Sequence, residues 1–151
     1  MSDRTAMDGE PDRRRWLSVL AKAPAQEVIA AWEGLAERPA FQALRAPENG
    51  MVLVRGRMGG TGDAFNLGEM TVTRAAVRLE SGETGVGYVA GRNHRHAEIA
   101  AAVDAMMQSA SLRPAVEDAV IARLESAQLQ RHDLAARKAA ATKVEFFTMV
   151  R

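Results

Sequence analysis

The segment EMTVTRAAVRLESGETGVGYVAG, residues 69–91, limits the possible folds more than any other stretch, because it alternates residue by residue and breaks at Ser81-Gly82. A period of two is a strand period, and the Ser-Gly break makes the segment a hairpin. Met70, Val72, Arg74 and Ala76 then share one face, while Thr71, Thr73, Ala75, Val77 and Leu79 share the other. Neither face is cleanly polar, so both sides of such a sheet are candidates for cover. Upstream, FQALRAPENGMVLVRGR reads as a further pair of strands joined at Glu48-Asn49-Gly50, since Asn-Gly supplies the positive φ angles of a tight turn.

Helical spacing flanks this region on both sides. Pro11-Asp12 opens a short helix in which Trp16, Leu17 and Leu20 form the apolar face, with Arg13, Arg14 and Arg15 as its solvated side. Pro24 starts a second helix through Val28, Ile29 and Trp32 to Gly34, and Pro39 ends the helical region. After the sheet, Asn93 caps a helix whose Ile99, Val103, Met106 and Met107 fall near one stripe. A longer helix opens at Pro114 and runs to about Ala141, roughly 40 Å, more than a small domain is wide. Part of it is therefore expected to project or to pack on a partner.

The closing KVEFFTMVR is aromatic and β-branched and reads as a terminal strand, at a sheet edge or in a groove of another chain. Its 151 residues and 47% hydrophobic content suit a single domain, residues 1–151. The predicted fold class is α+β: an antiparallel sheet built from two hairpins and packed with helices, plus a long C-terminal helix and a terminal strand.

Charge narrows the function. Lys plus Arg number 20 against 19 Asp plus Glu, so no overall field draws the chain to nucleic acid or an anionic membrane. The 5% aromatic content also disfavours a nucleic-acid binder. With no cysteine, disulfides, thiol nucleophiles and cysteine-ligated zinc or iron–sulfur clusters are excluded from this chain. No apolar run has the length of a signal peptide or membrane span, and the expected location is cytoplasmic.

Two clusters remain as places for chemistry. In RGRMGGTG, Arg55 and Arg57 stand two residues apart on one strand face, beside Gly59, Gly60, Thr61 and Gly62. Glycine amides can converge into a nest for an anion, yet the segment lacks a P-loop ending and the dinucleotide glycine spacing; a wide hairpin turn is the competing reading. In GRNHRHAE, Arg92, His94, Arg95 and His96 crowd a helix N-terminus that ordinarily attracts acids. An anion or a partner's carboxylates would relieve that conflict, as would a surface pair between His94 and Glu98, while His96 lies toward the core side. His94 and His96 point about 200° apart on a helix, so no metal site is expected. Met58, Met70, Met106, Met107 and Met149 are read as packing or interface residues. No nucleophile with its base and no paired acids stand out, so catalytic residues are not assigned. From the residues alone, an accessory subunit with an anion site competes with a free-standing phosphate- or nucleotide-binding enzyme using Arg55, Arg57, His94 and His96.

Three blocks, RMGGTGDAFNLGEMTVTRAAVRL, GYVAGRNHRHAEIAAAVDAMM and the terminal KVEFFTMVR, closely resemble the PhnG family of small subunits from bacterial carbon–phosphorus lyase core complexes. RRRWLSVLA fits the same family, so the resemblance covers nearly the whole chain. It implies a part in phosphonate catabolism beside a nucleosidase-like subunit, a radical SAM iron–sulfur subunit and a second small subunit, with two copies of each. The implied reaction joins ATP and an alkylphosphonate, giving a ribose 1-alkylphosphonate 5-triphosphate and adenine. The family carries over no catalytic residue, and no cofactor is expected on this chain; ATP is a substrate, and the iron–sulfur/SAM centre belongs to another subunit.

Overall fold

The computed structural model describes residues 10–57, 60 and 62–149, with the side chains of Asn66 and of residues 144–149 left out. Two helices, α1 (Glu10–Lys22) and α2 (Ala25–Glu33), precede three strands, β1 (Phe41–Arg57), β2 (Ala64–Leu79) and β3 (Thr84–Ala90). Helix α3 (His94–Met107) follows, and α4 (Arg113–Val116) passes through a π-helical turn, Glu117–Ile121, into α5 (Ala122–Met149). The strands form one antiparallel sheet in the order β1-β2-β3, so two hairpins share β2. This is the expected α+β class with its long C-terminal helix.

Three expectations change. Glu48-Asn49-Gly50 is not a turn: β1 runs unbroken through it, and Asn49 pairs with Thr73 while Gly50 pairs with Val72. Register shifts between Ala43 and Arg45 and between Arg45 and Glu48 absorb Pro47, whose missing amide rules out regular pairing but not an edge position. The reversal comes instead between Arg57 and Ala64, within the glycine-rich segment. The terminal strand is also replaced: residues 144–149 continue α5, while Val150 and Arg151 lie outside the described residues. Alanines at 135, 136 and 139–141 give the preceding turns high helix propensity, so helix carries on into a segment of poorer local propensity.

The third correction concerns cover. Thr73, Ala75, Val77 and Leu79 are buried, but the opposite face of the sheet stays largely open within the chain. Helix α3 lies directly on the covered side. A Cβ at Gly85 would stand 1.9 Å from the Ala101 carbonyl oxygen, and one at Gly87 would stand 2.0 Å from that of Ala97. Only glycine on the strand and alanine on the helix allow two backbones so close. Helix α3 is buried almost all round, from Ile99 through Met107, with Trp16, Leu20, Val28, Trp32, Val116, Val120 and Ile121 closing the core beyond it.

Strand β3 reaches only from Arg78 to Val72 along β2. Beyond that point Met51–Arg57 and Ala64–Thr71 pair only with each other and continue as a two-stranded ribbon. At the other end of the chain, α5 is exposed from Leu129 through Lys143, so the expected projection of the long helix is observed.

Candidate functional site

The two basic clusters are held by different parts of the fold. Arg55 and Arg57 alternate with Val54 and Gly56, so their exposed side chains stand on the same face of the ribbon near its tip. Among the described residues neither makes an ion pair. On the other ribbon face, Phe65 and Leu67 close over Gly56, where an added Cβ would meet Leu67 Cδ1 at 3.0 Å. Gly60 has φ 80°, a left-handed conformation that favours glycine; Gly62 is described as well, whereas Gly59 and Thr61 lie outside the described residues, as does Met58.

The α3 start is laced into the sheet. Asn93 caps the helix by accepting from the His96 amide at 3.0 Å. The Thr73 hydroxyl donates to the Gly91 carbonyl at 2.6 Å and lies 3.2 Å from Asn49 Oδ1, which accepts from His94 Nε2 at 3.2 Å. Gly91 itself, at φ 92°, makes the bend that brings the chain from β3 into the helix. The cationic crowding is thus met largely within the chain. Arg95 pairs with Glu98 at 2.9 Å, which replaces the anticipated His94–Glu98 pair.

His96 is withdrawn from the set of surface contacts. It is 2% exposed and its Nε2 donates to the Leu20 carbonyl at 2.9 Å, joining α3 to the end of α1. Burial lowers its pKa below the ordinary histidine value, against a smaller raising effect of that hydrogen bond. Arg92 remains exposed at the helix start, without an ion pair among the described residues. Six strand residues at about 3.4 Å each put Arg55 roughly 20 Å along β1 from Asn49, so the ribbon tip and the helix start form two sites rather than one.

Residues not singled out from sequence organise the core. Asp104, fully buried, accepts from Arg13 Nε at 3.2 Å and Nη2 at 2.9 Å, from Trp16 Nε1 at 2.8 Å and from the Val86 amide at 2.9 Å. One carboxylate therefore ties α1, α3 and the free edge of β3 together, and its hydrogen bonds raise the Arg13 pKa. Arg15 reaches Glu117 with two bonds of 2.8 Å and Glu125 at 3.0 Å, and its pKa is raised chiefly by Glu117. Arg113 stacks 5.1 Å above Trp16. Arg13 and Arg15 are accordingly tertiary ion-pair partners, not the solvated side of α1. The clue was present in IAAAVDAMM: a lone acid inside an otherwise apolar helix demands buried donors.

Among the described residues no group of three or more His, Cys, Asp or Glu is placed to hold a metal ion, and no helix is long and apolar enough to cross a membrane. What the fold offers is a packed support carrying a basic ribbon tip and an open sheet face. Comparison with known proteins gives that arrangement its class, a protein of phosphonate metabolism. The family described as "Phosphonate metabolism protein PhnG" matches residues 11–151. The alpha-D-ribose 1-methylphosphonate 5-triphosphate synthase subunit PhnG of Rhizobium meliloti (strain 1021) is 44% identical over 146 residues, covering 95% of this chain and 91% of the relative. The chain belongs to the PhnG family.

Proposed function

We propose that this chain is an accessory subunit of a carbon–phosphorus lyase core complex and that it presents Arg55 and Arg57 to polyanionic substrates in a site completed by other subunits. The relative's name describes a subunit of a synthase whose product is a ribose 1-methylphosphonate 5-triphosphate. In the proposed reaction a phosphonate oxygen replaces adenine at C1′ of the ATP ribose, and the triphosphate is retained. The partners are a nucleosidase-like subunit that displaces the base, a radical SAM subunit holding the iron–sulfur centre, and a second small subunit, each in two copies with this chain.

The observation that carries the reading is the position of the two arginines. They share one face near the end of a ribbon and have no acid of their own among the described residues, so both guanidinium groups are available to phosphate oxygens. Gly60 and Gly62 add backbone amides near the same tip, the material of an anion nest. The helix start contributes Arg92, with His94 and Arg95 already engaged within the chain, and serves better as a partner contact than as a catalytic group.

The test is adenine release from ATP plus methylphosphonate by the reconstituted complex carrying Arg55→Ala/Arg57→Ala, after its subunit stoichiometry is confirmed. Release should fall strongly while assembly is retained. Unchanged release removes the ribbon tip from the site, and adenine release by the isolated chain would instead make it a free-standing enzyme.

A further inference from the structure

Building on the subunit reading above, we infer that the open sheet face and the apolar side of the ribbon form the docking surface for a different protein chain, one that presents apolar side chains rimmed by carboxylates.

Ten large hydrophobic residues are exposed among the described residues, and eight of them are on the strands: Met51 and Leu53 on the Arg55 face of the ribbon, and Leu44, Phe65, Leu67, Met70, Val86 and Tyr88 on the open side. Only Leu129 and Leu134 are on the projecting helix, which directs the search for an interface to the sheet. Strand alternation places Val52 and Val54 with Met70 on the ribbon face that continues the uncovered side of the sheet. Leu44, Val86 and Tyr88 line a shallow depression farther along that side. A two-stranded ribbon is marginally stable in water on its own, so this one gains most from a surface that covers it.

Charge selects the occupant. Arg45 and Arg74 share the single carboxylate of Glu48, at 3.4 and 2.7 Å, and exposed Arg78 has no ion pair among the described residues. Cations therefore outnumber acids around the apolar depression. A second copy docked face to face would oppose arginine to arginine, whereas carboxylates on another chain would complement them. The middle of the face is apolar and the edge cationic, the layout of an apolar interface core with a polar rim.

The experiment uses the full-length chain in complex with the other subunits of its synthase. Leu44→Glu/Tyr88→Glu, Phe65→Asp/Leu67→Asp and Arg74→Glu/Arg78→Glu are compared with Leu129→Asp/Leu134→Asp on the projecting helix. Thermal melting and circular dichroism establish folding of each isolated variant. Each sheet variant should weaken association by about tenfold or more, against little change for the helix variant, and high salt should weaken wild-type association. If the arginine reversal alone remains folded, its binding result decides the question. Wild-type assembly by the folded sheet variants overturns the inference. So does loss confined to the helix variant, or disruption of a homodimer while association with the other subunits stays intact. Adenine release with and without this chain separates the two claims: a dispensable chain defeats the functional reading whatever its docking surface.

Discussion

Helix α3 and the β1-β2 ribbon come from neighbouring stretches of one chain and are stabilised in opposite ways. Around α3 nearly every side chain is buried, and the close approach of Gly85 and Gly87 to the helix backbone fixes its distance from the sheet. Along the ribbon, Met51, Leu53, Phe65, Leu67 and Met70 remain exposed, and the strands beyond β3 have only each other. The first region secures the fold from within. The second keeps apolar surface and two arginines available to another molecule.

The largest effect expected from this contrast is at the seam. Gly87→Ala must displace the Ala97 carbonyl from a 2.0 Å approach and should cost about 3 kcal/mol or abolish folding, measured by denaturant unfolding. On the ribbon, Gly56→Ala meets a movable Leu67 side chain, so its effect should be much smaller. Equal losses at the two positions would erase the proposed difference between the regions.

Asp104→Asn comes next. It retains the size of the side chain but removes the charge beside Arg13 and disturbs acceptance from Trp16 and Val86; a loss of about 2 to 3 kcal/mol is expected, scaled down because Arg13 is part-exposed. Arg74→Ala, whose partner Glu48 is exposed on the open face, should change stability by about 0.5 kcal/mol or less.

His96 sharpens the same comparison through pH. Its folded pKa is lowered, so the unfolded chain takes up the proton first as pH falls below about 6.5. The stability contribution of neutral His96 is present above that pH, is lost progressively below it, and stops changing once the folded imidazole also protonates. The difference in melting temperature between wild type and His96→Gln should therefore narrow on acidification from pH 7.5 to 5.5.

Much of the covered half was legible in the sequence because burial imposes periodicity. The alternation of β2, the Asn93 cap and the apolar stripe of α3 all appear in the fold. Asn49-Gly50 misled because local turn chemistry was overridden by strand pairing, with Asn49 engaged by the β3–α3 junction. Residues 144–149 likewise follow the helix that precedes them rather than their own β-branched and aromatic composition.

At the candidate site, Arg55 and Arg57 were legible as a same-face pair, because strand alternation is local. Their separation from the α3 start was hidden, because it depends on β1 running straight through Asn49. The same long-range pairing concealed the open face: exposure of Tyr88 and Leu44 is set by which elements cover the sheet, not by the residues beside them.

Hydrogen exchange of the ribbon amides, followed for the isolated chain and for the assembled complex, tests the central contrast most directly. Residues 51–57 and 64–71 should exchange much faster than α3 in the isolated chain and become strongly protected on assembly. Protection equal to that of α3 before assembly, or no gain in protection after it, would contradict the account.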